Sequence, residues 1–182
     1  MTAAGGRQPV SPGLAADLAA VRLVVFDFDG VFTDNTVYVS EDGTETVRCW
    51  RGDGLGLAAL QRLGLQVLIL STEVNPVVAA RSRKLRVECV QGCDDKRERL
   101  EAIVRERGLT MDQVAFVGND VNDLGCLEAV RVPVVVGDGH PSVLSIARLR
   151  TERPGGRGAV REVCDLLVAI HSRPPHPAGA AS

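Results

Sequence analysis

This chain is expected to form an α/β fold: a mainly parallel sheet with helices on both faces. Three observations predict it. Short runs of β-branched and bulky apolar residues alternate with segments of helical periodicity. Polar clusters follow directly after three of those runs, at the carboxyl ends where such sheets place ligands. With 182 residues, 45% hydrophobic and 24% charged, the chain is ordinary in composition and long enough for one domain with a real core.

Residues 1–13 are rich in Gly, Ala, Pro and Ser and are expected to be mobile. The folded domain is expected over residues 14–172. Val21–Phe28 reads as the first strand, buried because nearly every residue in it is apolar. Thr36–Val39, a turn at Glu41-Asp42-Gly43, and Thr44–Cys49 read as a small β-hairpin inserted after it. Gly54–Leu63 is a helix, with Leu55, Leu57, Leu60 and Leu63 as candidate core positions. Val67–Leu70 is a buried strand, followed at once by Ser71 and Thr72.

Pro76–Leu85 is the next helix, with Asn75 as its N-cap and Pro76 in its first turn. Cys89–Val90 is a short strand, and Asp94 or Asp95 opens a helix reaching about Arg107. Val114–Val117 is a strand that ends on Gly118-Asn119-Asp120. Asp123–Val130 is helical, Val132–Val136 a strand, and Pro141–Ala147 a short helix. A Gly/Pro loop at Arg153–Arg157 leads into the last helix, Val160–Ile170. Residues 173–182 read as a disordered tail.

The bulk numbers exclude several classes. A net charge of −2 and 3% aromatic residues leave no electrostatic or stacking case for nucleic acid. No apolar run reaches membrane-spanning length and the N-terminus lacks a secretory pattern, so a cytoplasmic protein is expected. Five scattered cysteines, Cys49, Cys89, Cys93, Cys126 and Cys164, read as reduced thiols. His140, His171 and His176 are assigned to surface or structure.

Asp27 and Asp29 stand two residues apart where the first strand gives way to Gly30. Carboxylates beside an apolar strand are costly to bury without a metal or hydrogen-bond donors. Three polar sets, Asp27/Asp29, Ser71/Thr72 and Asn119/Asp120/Asp123, fall at strand ends, and Lys96 opens a helix. Of the 21 basic residues only Lys84 and Lys96 are lysine, so a compact ammonium is expected to matter there. Together these residues are equipped for phosphoryl transfer. Asp27 would attack phosphorus and bind the metal, with Mg²⁺ the natural oxygen-ligated cation. Asp29 would exchange the proton with the leaving group and reach the metal through its carbonyl. Ser71 would hold phosphate oxygens and Lys96 would neutralise them. Asn119, Asp120 and Asp123 would complete or orient the metal shell.

Four motifs in order resemble the haloacid dehalogenase superfamily of phosphotransferases, over about Val21 to Ile170. They are DFDGVFTD (Asp27–Asp34), LILST (Leu68–Thr72), the lysine of CDDKRE (Lys96), and VGNDVND (Val117–Asp123). The resemblance implies a Rossmann-like sheet. The hairpin and the short chain are similar to its subgroup without a cap domain, which includes sugar-acid phosphatases and a domain attached to acylneuraminate cytidylyltransferases. That subgroup implies a homotetramer whose open sites are closed by neighbouring subunits. Within it, Glu73, Arg81 and Lys84 match the spacing of the 2-keto-3-deoxy-nononate 9-phosphate phosphatases. The octulosonate 8-phosphate enzymes usually carry Ser/Thr-Gly-Arg where this chain has Ser71-Thr72-Glu73.

The resemblance therefore implies a Mg²⁺ phosphatase of a nine-carbon sugar-acid phosphate, with Thr72, Glu73, Arg81, Lys84 and Arg157 on substrate. The alternatives are the octulosonate 8-phosphate phosphatase and a weakly active tetramerising module that supports a cytidylyltransferase. One departure favours the last: Asn119 stands where the family usually has a metal-binding aspartate. Either Asp120 substitutes for it or metal binding is weakened. Asp34 is expected to stabilise the first loop.

Overall fold

The computed structural model describes residues 10–172. Residues 1–9 of the expected mobile lead, and the whole expected tail at 173–182 with His176, lie outside the described residues. A helix not foreseen from the sequence comes first, α1 (Pro12–Ala20). Ser11 caps it, accepting from the Leu14 N–H at 3.3 Å, and Pro12 occupies the first turn. Its reason to form is tertiary: Leu14 and Leu18 are buried in the core. Pro12 and Gly13, read from composition as mobile, thus belong to a helix.

The strands are β1 (Leu23–Phe26), β2 (Thr33–Val39), β3 (Glu45–Cys49), β4 (Gln66–Leu70), β5 (Glu88–Val90), β6 (Val114–Gly118), β7 (Val132–Val135) and β8 (Leu149–Arg150). Six of them form one parallel sheet in the order β5-β4-β1-β6-β7-β8. β1 lies inside it, in register from Leu23↔Gln66 to Phe26↔Ile69 on one side and from Leu23↔Val114 to Phe26↔Val117 on the other. Alternation along β1 splits the core into two. Val24 and Phe26 pack into one cluster with Leu14, Leu18, Leu57, Leu60 and Leu167. Leu23 and Val25 pack into the other with Leu100, Ile103, Phe116 and Leu127.

The helices that cover the two faces are α2 (Asp53–Arg62), α3 (Pro76–Leu85), α4 (Lys96–Glu106), α5 (Leu124–Ala129), α6 (Pro141–Leu144) and α7 (Ala159–His171). The caps read from sequence are present. Asn75 accepts from Val77 N–H at 3.0 Å, and Asp95 accepts from Glu98 N–H at 2.9 Å. His140 caps α6 through Nδ1, and His171 Nε2 lies 3.0 Å from the Leu18 carbonyl. β2 and β3 form a separate antiparallel ribbon, the expected hairpin, and no further insertion interrupts the described chain.

Several boundaries differ from expectation. The first strand is shorter than Val21–Phe28, because the chain folds back at Phe28, whose carbonyl accepts from Val31, Phe32 and Thr33. β8 was not foreseen, and α6 stops at Leu144 rather than Ala147. Leu55 and Leu63 are not core residues: Leu55 is 68% exposed and Leu63 is 41% exposed. Leu57 and Leu60, three apart, take the inner face of α2, and Leu55 lies about 200° around the helix from Leu57. Gly56 shares that inner face, where a Cβ would meet Cys164 Cβ at 2.8 Å.

Candidate active site

The site is assembled where β1, β4 and β6 end. Asp27 continues the ladder for one more bond, donating its N–H to the Val117 carbonyl at 2.9 Å. The chain then folds back: the Phe28 carbonyl accepts from the N–H groups of Val31, Phe32 and Thr33. Gly30 sits within this turn at φ 76°, a conformation that glycine adopts without strain. Phe26 and Phe28 pack on Phe32 with ring centroids 5.6 and 5.7 Å apart, which anchors the turn from the core side. Thr33 Oγ1 accepts from Gly30 N–H at 3.0 Å and Asn35 N–H at 3.2 Å, and lies 3.5 Å from Asp29 Oδ1. Asp34 ties this turn to the hairpin through Thr36 and Arg48.

Lys96 is the first residue of α4 and is 3% exposed. Its Nζ donates to Asp27 Oδ1 at 2.6 Å and to Asp123 Oδ1 at 2.8 Å. Two buried carboxylates therefore share one ammonium, and with both ionised the trio carries one net negative charge. Burial pushes the Asp27 carboxyl up to about 7, with Asp123 adding to the rise and Lys96 opposing it. Burial works against the Lys96 charge, but Asp27 and Asp123 outweigh it and hold its pKa above the usual value. The remaining Asp123 oxygen accepts from Asn119 N–H at 2.9 Å, so Asp123 fixes both the lysine and the backbone of the fourth motif.

Asn119 brings its amide against the first motif. The amide atom facing it lies 3.2 Å from Asp27 Oδ2 and 2.9 Å from the main-chain oxygen of Asp29. With the amide oxygen inward, it stands from each of the other two oxygens at the spacing of adjacent ligands around a cation of the Mg²⁺ size, about 3 Å. The donor set therefore fits a small hard cation. Among the described residues no group of three His, Cys, Asp or Glu side chains forms a metal site. Here the donors would be one carboxylate, one amide and one carbonyl. Asp120 is turned elsewhere: its Oδ1 accepts from Val121 N–H at 2.7 Å and caps the 3₁₀ turn Val121–Asp123. No hydrogen bond joins it to Asp27 or Asp29, so Asn119 rather than Asp120 is the side chain that faces them.

The second motif is divided in role. Ser71 is buried, and its Oγ accepts from Glu73 N–H at 3.0 Å, while the Thr72 side chain is exposed. Glu73 Oε1 accepts from the N–H groups of Val74 and Asn75. Its charge lies close enough to Asp29 to raise that carboxyl, after burial, the larger cause. Arg81 is turned to the hairpin side, donating Nη2 to the Trp50 carbonyl at 3.0 Å, and Lys84 is exposed. Glu73, Arg81 and Lys84 are thus not drawn together by hydrogen bonds within one chain.

A family model described as haloacid dehalogenase-like hydrolase matches residues 69–160. The chain belongs to that family. A 3-deoxy-D-manno-octulosonate 8-phosphate phosphatase of Salmonella typhimurium is 34% identical over 166 residues, covering 91% of this chain and 88% of the relative. A HAD-family hydrolase from Streptomyces avermitilis is 49% identical, with a TM-score of 0.79 over 81% of this chain and 84% of its own. The octulosonate 8-phosphate phosphatase of Moraxella catarrhalis, solved with magnesium, phosphate and the sugar acid, is 29% identical. It superposes with a TM-score of 0.83, over 86% of this chain and 90% of its own.

The positions of four residues of this haloacid dehalogenase-like hydrolase escaped the sequence reading. Glu45 of β3 acts on the Asp29 carboxyl and accepts from Asn75 Nδ2 at 2.7 Å, which brings the hairpin to the rim of the site. Asp138, just beyond β7, accepts from Gly155 N–H at 2.8 Å. It follows a strand end, the same signal that marked the other polar sets. Gly155 and Gly156 lie on the first-motif turn, with Gly156 N–H donating to the Val31 carbonyl at 3.0 Å. The Gly/Pro loop is therefore docked on its own chain, and Arg157 at its end is exposed.

Proposed function

We propose that this hydrolase is a divalent-cation-dependent phosphatase of a phosphorylated 3-deoxy-2-keto sugar acid. The observation that carries it is the Lys96 ammonium held between Asp27 and Asp123, with Asp29 two residues beyond Asp27. Asp27 attacks phosphorus through a carboxylate oxygen, and the bond from phosphorus to the sugar oxygen breaks. The departing alkoxide takes a proton from Asp29. Burial and Glu73 raise the Asp29 carboxyl, which favours the protonated form that serves as the acid. In the second step Asp29 accepts a proton from water, the water oxygen displaces Asp27, and inorganic phosphate leaves. Lys96 stays charged throughout and offsets the negative charge around the phosphoryl group. Asp27, the Asp29 carbonyl and Asn119 would hold Mg²⁺, which reduces repulsion between the nucleophile and the phosphate.

The eight-carbon octulosonate 8-phosphate is the substrate favoured by relatives that carry that activity in their names. This replaces the nine-carbon nononate 9-phosphate as the first reading. The nine-carbon acid stays as the second, because Glu73 has the spacing of those enzymes and its charge is felt at Asp29. Phosphate release from both substrates, with Asp27→Asn as control, decides. No turnover above the control on either would sink the phosphatase and favour the non-catalytic module.

The same reading takes residues 14–172, with the first turn of α1 added, as one catalytic domain. It takes the assembly as a homotetramer: Val37, Tyr38 and Val39 on the hairpin are each more than half exposed, an apolar edge that a second copy would cover. Sedimentation velocity on the protein and on Tyr38→Glu tests this, and a wild-type monomer at micromolar concentration would refute it. Five free thiols suit a reducing compartment, the cytoplasm.

A further inference from the structure

The fourth motif carries an amide where a carboxylate is usual for the family, and an amide has two unlike ends. One end of Asn119 faces only acceptors, Asp27 Oδ2 at 3.2 Å and the Asp29 carbonyl at 2.9 Å, while the other faces only donors. Asn119 is 8% exposed, and its amide packs on Gly30, where a Cβ would stand 2.0 Å from its nitrogen. The side chain is thus confined to this spot, and rotation about its last bond is the freedom left to it.

Each orientation suits one state of the site. With oxygen inward, three acceptors face one another, and a cation between them is what balances the arrangement. With the NH₂ inward, the amide donates to both Asp27 Oδ2 and the Asp29 carbonyl, and it also faces the excess negative charge of the Asp27–Lys96–Asp123 trio. A carboxylate at this position has no such second state.

We propose that Asn119 is an amide latch on the metal site. In the cation-free protein its NH₂ group takes the cation's place and satisfies Asp27 and Asp29. Cation binding breaks those two hydrogen bonds and turns the amide by half a revolution to offer its oxygen. Metal affinity is lowered twice over, by the missing charge and by the cost of opening the latch. The cation-free site is correspondingly quiet, with the nucleophile engaged rather than exposed as an unbalanced carboxylate. This inference rests on the cation requirement of the proposed phosphatase and not on its substrate.

The test is proton NMR of the ¹⁵N-labelled full chain, with the Asn119 NH₂ pair assigned by its loss in Asn119→Asp. In cation-free protein both protons are expected to be displaced and protected from solvent exchange. Saturating Mg²⁺ should shift them and speed their exchange at least tenfold. Unchanged signals on Mg²⁺ saturation, or unprotected protons without it, would overturn the latch.

Calorimetric titration with Mg²⁺ is the second arm. Asn119→Asp should bind at least tenfold tighter than wild type, and its cation-free form should melt lower. Equal binding by the two proteins overturns the latch alone. No binding to either overturns both the latch and the cation requirement.

Discussion

Gly155 lies so close to Gly30 that a Cβ added to it would stand 1.8 Å from the Gly30 carbonyl oxygen. The two glycines bring the loop before α7 onto the turn that carries Asp29. Gly155→Ala must push that turn away. Overpacking of this kind costs about 1–3 kcal/mol, so the melting temperature should fall. Because the displaced turn holds Asp29, kcat should drop at least tenfold as well. Gly13→Ala in α1, where a Cβ meets nothing within 4 Å, is the control and should leave activity unchanged. Thermal melts and phosphate release check both.

Lys96→Met should destabilise the protein as well as silence it. The change leaves Asp27 and Asp123 buried without their cation, a loss of about 3–5 kcal/mol near pH 8. The sign with pH follows from Asp27. Its folded pKa, already raised by burial, rises further without Lys96, while the unfolded value stays near 3.8. The folded form then holds a proton that the unfolded form has released, so the penalty grows as pH climbs through that interval. Urea melts at pH 5 and pH 8 should show the variant closer to wild type at the lower pH. An equal gap at both would contradict the shared-ammonium account.

Asp53 gives a pH dependence of its own. It opens α2, is fully buried, accepts one bond from Arg161 N–H at 3.2 Å, and leaves Oδ2 without a partner. Burial pushes it from 3.8 up to about 7, with that N–H, Arg81 and Arg161 opposing the rise. The folded protein therefore holds a proton that the unfolded chain has lost, and stability falls as pH rises from about 4 to about 7. Asp53→Asn should remove that slope and raise stability at pH 8 by about 1–2 kcal/mol. Melts across this range test it.

Much of the site was legible because its parts are local in sequence. Asp27 and Asp29, Ser71, and Asn119 to Asp123 each follow an apolar strand, and a parallel sheet brings strand ends to one edge. Lys96 was legible as one of two lysines in a chain that otherwise uses arginine. What was not legible is long-range or directional. Gly155 and Gly30 are far apart in sequence, and no local pattern marks their contact. Nor does spelling reveal that Asp120 turns away to cap a 3₁₀ turn while Asn119 turns in. Leu55 and Leu57 are the same residue type on opposite sides of one helix, and what faces α2 decides which is buried.

Glu73→Gln should move the pH profile rather than abolish activity. Glu73 helps to raise the Asp29 carboxyl, second to burial. Removing its charge lowers that pKa, so Asp29 loses its proton at lower pH. The alkaline limb of kcat/KM should shift downward, while the Asp27-dependent limb stays in place. An unmoved alkaline limb would remove Glu73 from the environment of the proton donor.

The strand order also governs how the chain is made. β1 sits between β4 and β6, and β4 leaves the ribosome first. At ordinary rates of synthesis, roughly 2–10 s pass between the two. During that interval the nascent protein presents a bare, apolar sheet edge along Leu23–Phe26, the surface on which chains pair wrongly. Lys96 emerges within it, whereas Asp123, the other partner of its ammonium, is made only after β6. Chaperone dependence in the cell should therefore concentrate on this half-built sheet, before β6 arrives to seal it.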